Sequence, residues 1–262
     1  ALRRLGKEVL LPLEPPPYLA FLVEPGEVCA PLPELPSGAL LAILDVAELS
    51  RTIGAPTEGA AFVVNVDHHG TNERFGDLAL VNPGSAATAQ MIKDLVDALP
   101  VAWDTTLATS CLTGILTDTG TFRYANTSRD VLRTAADLMA FEVDYVTLTD
   151  RLQWRPASFY TMLGEVMQTL ELPFDGRVSL ANVTLEMKAK FEGAGDDSDD
   201  YVGLIRYVDG TDVAIMLKQK EDAVKVSVRA RAPISAQAIC VELGGGGHVA
   251  AAGAKIAGLD LA

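Results

Sequence analysis

The three histidines of the chain all lie in stretches whose residue types could do chemistry. Asp67, His68 and His69 come directly after an apolar run. Consecutive side chains at a strand end diverge, so one imidazole can bind a metal while its neighbour faces a substrate. The preceding carboxylate can hold an imidazole by its second nitrogen and fix its tautomer. The alternative is a surface turn with two solvated histidines, which an isolated motif of this kind leaves open.

Two further carboxylates follow apolar runs. Asp45 ends residues 40–44 and could bridge two cations, or it could cap a helix that starts near Val46. Asp118 lies between two threonines and just before Gly120, which suits a metal ligand at a turn. It could equally be a helix cap or an ordinary turn residue. Carboxylates with one imidazole suit hard divalent ions such as manganese or magnesium, whereas zinc sites prefer more nitrogen and sulfur.

A run of four glycines, Gly244 to Gly247, precedes His248. Glycines let backbone N–H groups approach a phosphate closely. A helix beginning just after the run would add its dipole. A flexible linker is the usual alternative for such a run, but apolar sequence flanks this one on both sides, which disfavours a linker.

Alternating strands and helices are predicted to position the carboxylates and His68. Apolar runs predict strands over residues 40–44 and 61–66, and helical patterns cover 86–99, 105–117 and 128–141. This alternation indicates an α/β fold with a parallel sheet, whose ligands gather at the carboxyl ends of the strands. Ahead of these strands and helices, the chain is predicted to begin in a helix at Ala1, followed by a strand over residues 9–11.

The second half has a different pattern. A helical stretch over residues 144–170 predicts a connector, and strands are expected over 178–183, 212–217 and 223–229 with helices between and after them. We therefore expect a catalytic domain over residues 1–150, a connector over 151–172 and a smaller α/β domain with a mixed sheet over 173–262. A cleft should separate the two domains. Residues 192–200 are acidic and rich in glycine, which predicts a solvated loop.

Composition narrows the possible functions. With 49% hydrophobic residues the chain can build a core, yet no apolar run approaches the ~18 residues of a membrane span, and no signal-peptide pattern is visible. Three scattered cysteines without a CxxC pair indicate neither a zinc knuckle nor a disulfide framework, and favour the cytoplasm. The net charge of −14 repels long nucleic acid but permits a short phosphorylated ligand in a local basic site.

Taken together, the motifs resemble those of the DHH phosphoesterases, in the branch with a C-terminal DHH-associated domain. This branch includes nanoRNases and 3'-phosphoadenosine-5'-phosphate phosphatases. Asp67-His68-His69 resembles the motif that names the family, and Asp45 and Asp118 match its other acidic motifs. The run Gly244 to His248, with Ala251 and Gly253, resembles the glycine-rich signature of the second domain, and Arg229 matches that domain's substrate-binding arginine.

The resemblance implies a two-metal phosphoesterase, usually dependent on manganese, with magnesium as an alternative. Asp45 would bridge both ions, His68 and Asp118 would complete one of them, and Asp67 would orient a histidine. His69 would lie near the scissile phosphate. Other groups would hold the substrate phosphates: Arg123, Arg229, His248 and the amides of Gly244, Gly245, Gly246 and Gly247.

The substrate implied is a very short oligonucleotide or 3'-phosphoadenosine-5'-phosphate. Alternatives are a cyclic or linear dinucleotide phosphodiesterase, a nucleotide-binding module without catalysis, and an exonuclease acting on long DNA, which the charge disfavours. The glycine run argues against the pyrophosphatases of the family. No long nucleic acid or membrane is expected as a partner, and a homodimer is left open.

One motif of the family is missing. Its early H-x-x-x-D-x-D pattern, which supplies the rest of both metal shells, does not occur in this sequence. We expect an upstream segment of a few tens of residues, a strand and a turn, that carries a histidine and two aspartates. Without such a segment the chain could not fill its metal site alone.

Overall fold

The computed structural model describes residues 1–191 and 200–259. The chain forms two compact units, Ala1–Trp154 and Arg155–Ala262. The predicted acidic loop lies, over residues 192–199, outside the described residues. In the part of the chain that is described, no helix combines the length and hydropathy needed to cross a membrane. The three cysteines are unpaired.

The first unit contains a parallel three-stranded sheet. Its strands are β1 (Leu40–Leu44), β2 (Phe62–Asp67) and β3 (Leu78–Val81), in that order across the sheet. The predictions of β1 and β2 are confirmed to within one residue. The third strand was not predicted, because its four residues are too few to show a periodic pattern. Parallel pairing brings the carboxyl ends of β1 and β2 side by side, with Leu44 opposite Val66.

Four helices complete this unit: α1 (Thr88–Asp97), α2 (Thr105–Asp118), α3 (Arg129–Met139) and α4 (Tyr145–Gln153). They enclose a core that includes Leu112, Ile115 and Leu138, all fully buried. Gly114 lets α1 pack closely on α2, because a Cβ at this position would lie 2.7 Å from the Cβ of Ala89. The first three of these helices agree with the predicted ones to within about two residues at each end.

The start of the chain differs from the prediction. Leu2–Leu5 forms one 3-10 turn rather than a helix, and the strand predicted over residues 9–11 is wrong. Only a single bridge joins Leu11 to Val28. Pro12 follows directly, and a proline has no N–H with which to continue a strand ladder.

The second unit is built on a mixed five-stranded sheet, which confirms the predicted fold class. Its strands are β4 (Val178–Val183), β5 (Val213–Gln219), β6 (Ala223–Ala230), β7 (Gly246–Gly247) and β8 (Ala251–Ala257). The order is β4-β5-β6-β8-β7, with β4 and β5 parallel and the remaining pairs antiparallel. Helices α5 (Ala157–Val166), α6 (Leu185–Lys190), α7 (Tyr201–Ile205) and α8 (Ala236–Glu242) accompany the sheet.

No helix follows the glycine run within the described residues, so no helix dipole adds to it. Gly246–Gly247 and Ala251–Ala257 instead form a hairpin, in which Ala251–Ala257 pairs with β6 along its length. Five of the seven residues of Ala251–Ala257 are alanine or glycine, and the segment alternates in burial, with Ala252 and Ala254 buried against the sheet core. Burial on one face of a sheet favours a strand over a helix here.

Candidate metal centre and phosphate-binding groups

Three side chains from separate parts of the first unit meet at one point. The Nε2 atom of His68 lies 3.5 Å from Oδ1 of Asp45 and 3.5 Å from Oδ2 of Asp118. One ligand atom from each residue fits within 4.8 Å of the others. Asp45 follows β1 and His68 follows β2, as predicted, whereas Asp118 is the last residue of α2 rather than part of a turn. Two carboxylates and an imidazole at these distances are a donor set that fits a hard divalent cation.

The backbone at Asp45 is held in an unusual conformation. Its φ of 62° is uncommon for a residue other than glycine. The amide of Asp45 donates to the carbonyl of Val66 at 2.9 Å, which extends the β1–β2 pairing by one residue. The alternative interpretation as a helix cap is wrong, because only a short 3-10 turn, Leu49–Arg51, follows.

Thr88 is a site residue that the sequence did not reveal. It is the first residue of α1 and is buried, and its hydroxyl donates to Oδ1 of Asp45 at 2.7 Å. A hydroxyl at the start of a helix usually indicates a cap, so nothing in the sequence distinguished this one. The contact fixes the rotation of the Asp45 carboxylate relative to His68.

The orientation of His68 is also set by the fold. Its Nδ1 lies 3.3 Å from the carbonyl oxygen of Ser85, which can only accept a hydrogen bond. Nδ1 therefore carries a proton, and in a metal-bound His68 the lone pair of Nε2 would face an ion held with Asp45 and Asp118. A backbone partner of this kind commonly fixes the tautomer of a metal-binding histidine.

Among the described residues, His68 and His69 compensate the charge at Asp118 only in part. Burial, followed by the negative charge of Asp45, raises the pKa of Asp118 to about 6. A cation placed among the three side chains would remove this repulsion. Protons and metal ions should therefore compete for Asp118.

This competition predicts a pH dependence of metal affinity. Because the pKa of Asp118 in the folded chain is raised, its contribution to stability is greatest at acid pH and is lost as pH rises through about 6. Metal binding requires the deprotonated form. We expect manganese affinity, measured by calorimetric titration of the full-length protein, to fall about fivefold between pH 6 and pH 5 from this group alone. Equal affinities at pH 5 and pH 7.5 would contradict this interpretation.

Asp67 holds the second histidine. It is fully buried, and its Oδ1 accepts hydrogen bonds from the amide of His68 at 2.8 Å and from Nδ1 of His69 at 2.6 Å. Burial alone would raise the pKa of Asp67, but hydrogen bonds from His69 and Asn72 outweigh it and the net shift is downward. The carboxylate stays charged and keeps the proton of His69 on Nδ1. Asn72, which donates to Asp67, is the second site residue, after Thr88, that the sequence did not reveal.

Arg123 lies in a tight turn after α2. Gly120, Thr121 and Phe122 all have positive φ values, and the exposed Arg123 donates from Nε to the carbonyl of Gly120 at 2.6 Å. The turn requires glycine at position 120, because a Cβ there would lie 2.4 Å from the ring of Tyr124. The hydrogen bond to the Gly120 carbonyl holds the guanidinium group of Arg123 next to the end of α2.

Arg229 and the glycine run belong to the second unit. Arg229 is half-buried on β6, on the face opposite the buried valines of that strand. The amides of Gly244 and Gly245 donate to the carbonyls of Val241 at 2.9 Å and Cys240 at 2.8 Å, at the end of α8. These two amides already donate to carbonyls of the same unit. Of the four glycine amides predicted to hold phosphate, the candidates are therefore at most those of Gly246 and Gly247.

The remaining glycines lie at the edge of the sheet. His248 and Ala251 exchange both backbone hydrogen bonds, at 2.8 Å and 3.2 Å. In an antiparallel ladder the next pair, Gly247 and Ala252, is then not hydrogen-bonded, so the Gly247 N–H points away from β8. The linker alternative is wrong, since the run belongs to the sheet: a Cβ at Gly245 would lie 2.1 Å from the carbonyl oxygen of Gly253.

Comparison with known proteins agrees with this arrangement. Residues 178–261 match the DHHA1 domain. The chain is 52% identical over 261 residues to the bifunctional oligoribonuclease and PAP phosphatase NrnA of Thermus thermophilus, covering 100% of this chain and 78% of that protein. It is 27% identical over 251 residues to the Bacillus subtilis protein of the same description, covering 94% and 78%.

A solved structure shows the same fold. An exopolyphosphatase-related protein from Bacteroides fragilis superposes with a TM-score of 0.86 at 19% identity, covering 99% of this chain and 81% of that one. Together with the similarity to the Thermus protein over the whole chain, this confirms the resemblance found in the sequence. The chain belongs to the DHH phosphoesterases, in the branch whose members, such as NrnA, carry a C-terminal DHHA1 domain.

Proposed function

We propose that this protein is a metal-dependent phosphoesterase that hydrolyses very short oligonucleotides and 3'-phosphoadenosine-5'-phosphate. The observation that carries the proposal is the convergence of Asp45, His68 and Asp118 within the first unit. The description of the Thermus relative supports the substrate class. The three unpaired cysteines are compatible with the cytoplasm as the proposed compartment.

The proposed cofactor is a pair of divalent ions, manganese or magnesium. Asp45 would bridge them, and His68 and Asp118 would complete the shell of one. Ions held there would supply positive charge for the phosphate oxygens and an activated water. Octahedral ions want about six ligands each, so groups besides these three side chains are needed to complete both shells. An apolar cavity of about 380 Å³ extends from Ala1 to Asp45 and Asp118.

His69 is proposed to donate a proton to the departing oxygen of the substrate. Asp67 would keep one proton on Nδ1, and the doubly protonated ring would give its other proton, on Nε2, to the departing oxygen. Arg123, fixed by its turn, is proposed to hold a phosphate oxygen, because a guanidinium matches phosphate geometry with two donors.

The second unit is proposed to bind the end of the substrate. Arg229, His248 and the outward amide of Gly247 are the groups proposed to hold its terminal phosphate. The match of this unit to the DHHA1 domain supports the assignment of the unit to the family, and the role of these groups in phosphate binding stays a prediction.

The proposal is tested by product release from the full-length protein. With manganese present, we expect mononucleotide from a linear dinucleotide and phosphate from 3'-phosphoadenosine-5'-phosphate. Chelation with EDTA should stop both reactions, and a cyclic dinucleotide serves as the competing substrate. If neither product is released at any manganese concentration, the interpretation as a binding module without catalysis becomes the better one.

A preference for short substrates is a separate prediction. The net charge of −14 gives a long polyanion no favourable surface beyond the site itself. We expect kcat/KM for a dinucleotide to exceed that for a single strand of about 24 nucleotides by about tenfold or more. Faster hydrolysis of the longer strand, measured at equal concentration of ends, would refute the preference.

A further inference from the structure

Asn72 is tied to three acceptors around the site. Its Nδ2 lies 2.6 Å from Oδ2 of Asp67, 2.9 Å from Oδ1 of Asn65 and 3.1 Å from the carbonyl oxygen of Val46. An amide nitrogen has two hydrogens, so at least one of them is shared. The other end of the side chain accepts from the amide of Arg74 at 2.6 Å. The side chain is therefore fixed at both ends.

The first of these contacts completes the surroundings of a buried charge. Asp67 and Asn65 are both 0% exposed. The Oδ1 atom of Asp67 serves the amide of His68 and the ring of His69, and Asn72 donates to the other oxygen, Oδ2. A buried acceptor that loses its donor costs about 1–3 kcal/mol, and more when it is charged. Loss of the Asn72 amide would leave Oδ2 without this donor and would loosen the carboxylate that holds His69.

The hydrogen bond from Asn72 to Val46 restrains the backbone next to Asp45, a proposed metal ligand. Val46 directly follows Asp45, and its carbonyl also accepts from Nδ2 of Asn65 at 3.1 Å. The positive φ of Asp45 is a strained conformation that persists only when its surroundings over-determine it. Two amide donors on the next carbonyl provide such a restraint.

We propose that Asn72 is a positioning residue, whose amide joins the carboxylate that holds His69 to the turn that carries Asp45. The inference rests on the proposed function, because that function gives Asp45 and His69 their roles. Asn72 acts through these two residues and not on the substrate. Its loss should weaken metal binding through Asp45 and slow the chemical step through His69.

Replacing Asn72 with Asp or with Ala separates this role from space filling. Aspartate keeps the shape of asparagine but cannot donate, and it sets a carboxylate against Asp67. We expect Asn72→Asp to be at least as damaging as Asn72→Ala. In both variants of the full-length protein, kcat at saturating manganese should fall about 10–100-fold, KM for the dinucleotide should stay within about threefold, and the manganese Kd should rise about tenfold.

The exposed Glu73 of the same loop provides the matched control, and Glu73→Ala should behave as the unmodified protein. Circular dichroism and Tm establish that each variant is folded. Near-normal kcat and Kd in Asn72→Asp, with a loss only in Asn72→Ala, would show space filling and overturn the proposal. If Asn72→Asp does not fold, a kcat within threefold of normal in Asn72→Ala overturns it. Should the unmodified protein release no product, the proposed function fails, while the manganese titrations of the variants still decide the role of Asn72.

Discussion

Replacing Asp45 with Asn is expected to lower kcat by about a thousandfold or more. The substitution removes the charge proposed to bridge two cations, and losses of this size are typical when one member of a catalytic unit is removed. The fold should survive, because the amide oxygen of asparagine can still accept the hydroxyl of Thr88. Without metal the variant should be at least as stable as the unmodified protein, since the charge of Asp45 contributes to the raised pKa of Asp118.

Loss of activity without loss of stability is the diagnostic result for Asp45. Steady-state rates with the dinucleotide and Tm in EDTA are the two measurements. Asp94→Asn is the matched control, because Asp94 is an exposed residue of α1, outside the Asp45–His68–Asp118 cluster. A kcat within about tenfold of normal in Asp45→Asn would exclude Asp45 as a bridging ligand.

Replacing Arg229 with Ala should have the second largest effect, and it should appear in KM. A guanidinium that binds a phosphate makes charge-assisted hydrogen bonds worth about 1.5–3 kcal/mol each. We expect KM for both the dinucleotide and 3'-phosphoadenosine-5'-phosphate to rise about 10–100-fold. Manganese affinity should not change, because Arg229 belongs to the second compact unit and the proposed metal ligands to the first.

Arg231→Ala serves as the control for Arg229. Arg231 is an exposed arginine just beyond β6, and its guanidinium donates to the carbonyl of Arg206. The control variant should retain the normal KM. Unchanged KM values in Arg229→Ala for both substrates would remove Arg229 from the phosphate-binding groups, without affecting the assignment of the metal centre.

The sequence predicted that Asp45, His68 and Asp118 would converge, because each follows a recognisable apolar run. Asp45 and His68 follow apolar strands, and the carboxyl ends of neighbouring parallel strands meet at one sheet edge. Asp118 was predicted from the residues around it, and its position at the end of α2 became visible only in three dimensions. Thr88 and Asn72 could not be predicted, because their contacts exist only in the folded chain. Thr88 donates to Asp45, 43 residues away, and Asn72 donates to Asp67, 5 residues away.

The glycine run shows where sequence reasoning reached its limit. Four glycines indicated close approach of a backbone, and this is correct for Gly245, which packs against β8. The glycines alone did not show which group, a phosphate or another part of the protein, lies against their backbone. In the structure it is the carbonyl of Gly253 and not, at this position, a phosphate. The segment after the run is a strand and not a helix, since a segment rich in alanine suits a strand once it pairs with β6.

Anomalous diffraction from crystals of the full-length protein grown with manganese tests the central claim most directly. The metal centre proposed here predicts an anomalous peak within about 2.5 Å of ligand atoms from Asp45, His68 and Asp118. A second peak should lie about 3.5–4 Å from the first, on the other side of the Asp45 carboxylate. Manganese bound elsewhere in the molecule, with these three side chains free of metal, would contradict the assignment of the site and the mechanism built on it.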